Sequence, residues 1–248
     1  MSYNIFSHFY DMVMDQTVYD QWLSFVEGYR QRHHQSKEQL AILELACGTG
    51  IIALKLAEAG HDVTGYDLSA DMLSLAQERI EEAGQEIQLI EGDMRELPDI
   101  QAFDMVTCFS DSLCYLHQES DLLQVFEGVH RNLSEGGTFL FDVHSLFQMD
   151  HVFPGYQYIY QEESEVFLWE SFIGDYDHSV EHVLTFFVQN EDGRFDRLQE
   201  IHQERSFPLE TYQRLLKEAG FSSVELTAEF GESPVDETTT RWFFAAKK

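Results

Sequence analysis

The chain has 248 residues, 44% of them hydrophobic, and a formal net charge of −30 from 45 acidic against 15 basic side chains. That length and apolar share support one substantial core with a smaller insertion and argue against a disordered chain. The acidity repels phosphate backbones and anionic bilayers, which disfavours a broad nucleic-acid or membrane surface.

The first residues, MSYNIFSHFYDMVMD, lack a basic leader ahead of an apolar core, and no uncharged apolar stretch reaches spanning length. The expectation is a soluble, cytoplasmic protein. Cys47, Cys108 and Cys114 are odd in number and show no paired spacing, which fits buried thiols better than a disulfide framework or a zinc knuckle.

Tyr19, Trp22, Leu23, Val26 and Tyr29 recur at helical spacing, and a first strand follows at AILELA, 41–46. A helix over about 50–59 stops at Gly60, a second strand, DVTGYD, leads to Ser69 as N-cap, and the next helix places Met72, Leu75, Ala76 and Ile80 on one face before Gly84. A third strand, IQLIEGD, is followed by a fourth, FDMVTCF. A helix around 119–133 carries Leu122, Phe126, Val129 and Leu133 inward, and Gly136 and Gly137 precede a fifth strand, TFLFDV. Strands alternating with helix-length crossovers imply an α/β fold, a doubly wound and mostly parallel sheet.

From about 156 to 207 the period becomes two, in YQYIYQE, EVFLWESFI, VEHVLTFFV and FDRLQEIHQERSF, with turn signals at Gly174-Asp175 and from Asn190 to Gly193. This predicts an antiparallel meander inserted into the α/β frame. Pro208 opens a last helix ending at Gly220, and SSVELTAEF and TRWFFAAK predict an antiparallel pair at the sheet edge. The division expected is 1–145 with 208–248 as the ligand-binding domain and 146–207 as a β subdomain covering its site.

Gly48 and Gly50 permit a tight turn after the first strand and close approach of a ligand. Asp67, ending the second strand, is placed to accept ribose hydroxyls in the crevice beside the strands' carboxyl ends. GTGIIA, 48–53, fits the relaxed dinucleotide pattern GxGxxA, so the turn alone is compatible with a nicotinamide dinucleotide or with S-adenosylmethionine. Glu44, within the first strand, suits the ammonium of an amino-acid ligand and would repel a pyrophosphate. Asp93 and Met94, ending the third strand, suit the amino group and the ring face of adenine. No YxxxK pair is in reach of a nicotinamide, since Tyr212 and Lys217 are misspaced.

The segments ELACGTG (44–50), YDLS (66–69), EGDMREL (91–97), FDMVTCFSDSLCYL (103–116) and GGTFLFDV (136–143) resemble, in this order, the class I S-adenosylmethionine-dependent methyltransferases. The opening YDMVMDQTVYDQW looks like the YqeM-type bacterial branch of that family. The resemblance implies a seven-stranded Rossmann-like sheet and S-adenosylmethionine as cofactor. It also implies that Glu44, Ala46, Gly48 and Gly50 surround the methionine moiety, Asp67 holds the ribose, Leu68 lies beside the adenine, and Asp93 and Met94 contact it. Phe109, Asp111 and Ser112 would stand near the methyl group and begin the acceptor site. Where the family often has a first glycine this chain has Ala46, which is tolerable if its φ stays negative.

Tyr3, Tyr10, Tyr19 and Trp22 are candidates for an aromatic lid over the sulfonium, with core packing the competing reading for Tyr19 and Trp22. His144, just past the fifth strand, is the first candidate general base, although a lone histidine is more often a structural hydrogen-bonder. His178 and His182 share a strand face but are spaced too far apart for a common ion, so both are read as solvated surface residues and no metal is expected. Tyr158, Trp169, Phe172 and Arg205 are candidates to line an acceptor pocket under the meander, whose sheet could instead serve as a dimer surface. A roofed pocket in so acidic a protein favours a small, neutral or cationic acceptor over RNA. The alternatives carried are a nicotinamide-dependent oxidoreductase and a non-catalytic cofactor-binding protein.

Overall fold

The computed structural model describes residues 16–34, 36–190 and 192–248. The elements are α1 (Gln16–His33), β1 (Ala41–Leu45), α2 (Ile51–Glu58), β2 (Asp62–Asp67), α3 (Ala70–Glu82), β3 (Gln88–Glu91), β4 (Phe103–Cys108), α4 (Glu119–Asn132) and β5 (Leu133–His144). They continue with β6 (Gln157–Gln161), β7 (Glu165–Ile173), β8 (Ser179–Gln189), β9 (Phe195–Arg205), α5 (Leu209–Glu218), β10 (Ser223–Thr227) and β11 (Arg241–Lys247). Strands β1 to β5 with β10 and β11 form one seven-stranded sheet in the order β10-β11-β5-β4-β1-β2-β3. All pairings within β1 to β5 are parallel, whereas β11 runs antiparallel to both β5 and β10.

Successive strand residues point to opposite faces, and here both faces are buried. Leu43, Val106, Phe139, Phe141 and Phe244 pack under α4 and α5 with Phe126, Val129, Tyr212 and Leu216. Their neighbours Ile42, Met105, Leu140 and Phe243 pack on the other face, under α1, α2 and α3. The fold therefore has three layers, helix on sheet on helix. The chain reverses direction across the sheet between β1 and β4, the position beside whose carboxyl ends open α/β sheets bind their ligands.

The four-stranded antiparallel sheet, β6-β7-β8-β9, is inserted between β5 and α5. Its register pairs Phe167 with Phe186, Ser171 with His182, His182 with His202, and Val180 with Glu204. The period of two then puts Trp169, Ser171, Val180, His182, His202 and Glu204 on one face, and Val180 joins the core of the larger sheet.

Two local features differ from the sequence reading. Helix α4 passes into extended chain at Leu133, which pairs with Phe103, so β5 starts before the glycines and absorbs them at a register shift. Ala46 adopts φ 54°, in the left-handed region where a Cβ is strained, so the condition placed on that substitution is not met.

Candidate active site

The turn after β1 is built from three left-handed residues, Ala46, Gly48 and Gly50, at φ 54°, 53° and 75°. Gly50 precedes α2, and a Cβ on it would stand 2.9 Å from the Cβ of Ala76 in α3. The backbone amide of Gly48 donates to Asp67 Oδ2 at 2.8 Å, and that of Ser69 to Oδ1 at 2.8 Å. Asp67 is thereby fixed at the end of β2 beside the turn. Burial raises its pKa, and these amides partly oppose the shift.

Glu44 pairs across the sheet with Gly65 and Thr107 and is 3% exposed. Its Oε2 makes no hydrogen bond. Burial and the nearby Asp67 push its carboxyl well above the usual range. A buried acid with an unsatisfied oxygen is costly unless a ligand completes it. Leu68, next to Asp67, is 67% exposed, an apolar side chain left open beside that carboxylate.

The remaining candidates divide. Asp93 gives its carboxylate to Arg95, with Oδ2 2.5 Å from Nη2, and caps the short turn over Met94–Glu96. Met94 is half-buried against the core. Phe109 is buried, its ring stacked 6.3 Å from Trp22 and edge-on to Phe25, so it is a wall residue of the core. Tyr19 is 4% exposed and packs against Trp22, which supports core packing over a lid for both. Tyr3 and Tyr10 lie outside the described residues. Ser112 is tied to the Phe109 carbonyl by its own hydroxyl at 2.8 Å.

Asp111 and His144 come together at the carboxyl ends of β4 and β5, with His144 Nε2 3.3 Å from Asp111 Oδ2. Arg241 stands opposite His144 because β11 begins where β5 ends. Its guanidinium reaches Asp111 Oδ1 at 2.6 Å and the buried Asp142. Burial would raise the Asp111 pKa, but His144 and Arg241 outweigh it and hold the carboxyl well below its usual range. Asp142 is pushed up by burial, against Arg241.

The inserted sheet adds what the sequence reading missed. Glu204 is 5% exposed, and its Oε2 lies 3.8 Å from His144 Nε2 and 3.7 Å from His182 Nε2. His182 is not a solvated surface residue: it is 3% exposed, takes the indole N–H of Trp169 at 3.1 Å and contacts the Ser171 hydroxyl at 2.7 Å. His178 lies in the turn before β8 and pairs with Asp150 at 2.7 Å. Trp169 faces this cluster, whereas Phe172 is 50% and Tyr158 40% exposed. Arg205 donates to the His117 carbonyl at 2.7 Å and lies over the Phe207 ring. A polar hollow of about 460 Å³ lies elsewhere, at the amino ends of β2 and β3, and none of these residues lines it.

A parallel sheet reversing beside a left-handed turn, with a buried acid before the turn and a carboxylate at the end of the next strand, is the arrangement of the nucleotide-cofactor folds. A family profile described as a methyltransferase domain matches residues 42–137. The chain is 40% identical to Bacillus subtilis (strain 168) YqeM, a provisionally named methyltransferase, over 100% of this chain and 98% of that one. A crystal structure of an S-adenosylmethionine-dependent methyltransferase from Clostridium acetobutylicum matches with TM-score 0.85 and 28% identity, over 99% and 98% of the two chains. The sugar N-methyltransferase KedS8 from Streptoalloteichus shares the fold, with TM-score 0.74 and 22% identity over 92% and 86%. The protein is a class I S-adenosylmethionine-dependent methyltransferase. Within that class the chain belongs to the YqeM-like branch. Its cofactor is S-adenosylmethionine. Among the described residues no helix is long and apolar enough to cross a membrane.

Proposed function

We propose that this methyltransferase acts on a small-molecule acceptor, held between the carboxyl edge of the large sheet and the inner face of the inserted one. The observation that carries the reading is the inner face of β8 and β9, which sets His182 and Glu204 within 3.8 Å of each other or of His144 across the gap between the two sheets. An acceptor site so roofed suits a compact molecule. The net charge of −30 opposes a nucleic-acid substrate, and the sugar N-methyltransferase fold neighbour is in keeping with a small acceptor.

The residues fit the cofactor on structural grounds. Glu44 would receive the ammonium, which satisfies its orphaned Oε2. The turn at Ala46, Gly48 and Gly50 would surround the methionine moiety, and each Asp67 oxygen retains a lone pair for a ribose hydroxyl. Leu68 and Met94 would flank the adenine. Asp93 would accept its amino group only by sharing the carboxylate that Arg95 now occupies. Asp111, Ser112 and His144 would border the acceptor. When bound, the cofactor supplies a methyl group on a good leaving sulfonium, so the protein's work is alignment and exclusion of water. Residues 1–145 with 208–248 form the cofactor domain in this reading, and 146–207 its cover.

An acceptor screen with release of S-adenosylhomocysteine as readout tests the proposal. Turnover with small amines or hydroxyl compounds is expected; methylation confined to RNA or protein substrates overturns it.

A further inference from the structure

Away from the cofactor cradle, a cluster of titratable side chains lies where the inserted sheet meets the ends of β4 and β5. We propose that Asp111, His144 and Glu204 form a site for a divalent transition cation of the zinc or manganese type, three protein ligands with the remaining positions open.

The spacing is the first argument. His144 Nε2 lies 3.3 Å from Asp111 Oδ2 and 3.8 Å from Glu204 Oε2, and ligand atoms of the three residues lie within 4.8 Å of one another. Hydrogen bonds from a ring nitrogen run about 2.7–3.2 Å. Two ligands each about 2.0–2.2 Å from a tetrahedral ion stand about 3.3–3.6 Å apart, a span that the Asp111–His144 pair matches and that Glu204 reaches by a small inward movement.

Glu204 supplies the second argument. Its Oε2 is buried and makes no hydrogen bond, yet it points at two imidazoles. Among the described residues, its ion pairs are to histidines alone. Arg241 does not fill the need, because it holds Asp111 through Oδ1 and leaves Oδ2 toward His144. The two oxygens of Asp111 are thus divided between a guanidinium and the open centre. The donor set of two carboxylates and one imidazole suits borderline cations such as Zn²⁺, Mn²⁺ and Fe²⁺.

The surroundings are built as a supporting shell. The indole N–H of Trp169 donates into His182 Nδ1, which leaves Nε2 as the N–H nitrogen of that ring, turned toward Glu204. His182 is therefore a positioning residue and not a ligand, since ligation through Nε2 would put a proton on Nδ1 against the indole N–H. Phe153 sets its ring edge-on to both His144 and His182, at 4.9 and 4.7 Å, and closes the cluster on one side. An ion with open positions at the end of β4 and β5 would bind a donor atom of the acceptor and lower its pKa. The site itself does not rest on the acceptor reading.

Isothermal titration of metal-free protein with ZnCl₂ and, separately, MnCl₂ tests the site, with Glu204→Gln and His178→Ala in parallel. We expect one equivalent bound by wild type, at least about tenfold weaker binding in Glu204→Gln, and unchanged binding in His178→Ala. No uptake of either ion, or equal affinity in Glu204→Gln, overturns the proposal. Anomalous scattering from zinc-soaked wild-type crystals needs no variant: a peak about 2.0–2.2 Å from the three ligand atoms supports the site, and a peak elsewhere alone overturns it. S-adenosylhomocysteine binding by the metal-free protein, measured beside these, reports on the methyltransferase reading independently.

Discussion

Replacing Gly50 by alanine tests how the turn after β1 is held. Gly50 has φ 75°, where a Cβ costs about 1–2 kcal/mol. That Cβ would also meet Ala76 at 2.9 Å from its Cβ and 3.4 Å from its Cα. Ala76 is 0% exposed, so relief requires α3 to move as a unit. Overpacking of this kind costs about 1–3 kcal/mol, and the stiffer unfolded chain returns about 0.4–1 kcal/mol. The net loss is about 1–4.6 kcal/mol, or roughly 2–18 °C in Tm for a chain of this size. Urea unfolding followed by circular dichroism measures it as a fall in midpoint at unchanged m. A loss under about 1 kcal/mol would refute the packing argument and mean that the turn and α3 can separate freely.

Two further variants probe the same cradle. Ala46→Gly relieves left-handed strain of about 1–2 kcal/mol at an entropic cost of about 0.4–1 kcal/mol, so thermal unfolding should show a small rise in Tm; a fall would show that Ala46 is not strained. Glu44 keeps its proton longer in the folded chain than in the unfolded one, because burial and Asp67 raise its pKa well above 4.5. Its contribution to stability is therefore full below that ordinary value and lost as pH rises through the raised one. Glu44→Gln should gain stability over wild type progressively as pH rises from the ordinary value of 4.5, while binding S-adenosylhomocysteine more weakly. A stability difference flat over that rise contradicts the assignment.

The fold was legible because its signals are local. Alternating apolar runs, Gly60, Gly84 and Gly220, and the change to period two each report on a few neighbouring residues, and all eleven strands follow from them. The cradle was legible for the same reason: Glu44, Gly48, Gly50 and Asp67 sit at a turn and at strand ends. The cluster at the ends of β4, β5 and β9 was not. Glu204 meets His144 only through the register of β9 on β8, and Arg241 meets Asp111 only because β11 runs antiparallel into the sheet. His182 looked solvated because alternation gives two faces without saying which one docks. Asp93 is expected from the sequence to meet the adenine amino group; its pairing with Arg95, two residues on, is a side-chain choice that the pattern does not state. Phe109 follows β4 directly, yet its ring turns into the core under α1.

We propose that Glu44 holds the ammonium and Asp67 the ribose of S-adenosylmethionine, on either side of the turn after β1. Calorimetric titration of S-adenosylhomocysteine into wild type and Asp67→Ala tests it most directly, with NADH as the competing ligand. The ribose would lose two hydrogen bonds to a charged acceptor, each worth about 1.5–3 kcal/mol. Binding to wild type, at least about a hundredfold weaker binding to Asp67→Ala, and no heat with NADH are expected. Equal affinity in the variant, or preferential binding of NADH, would contradict it.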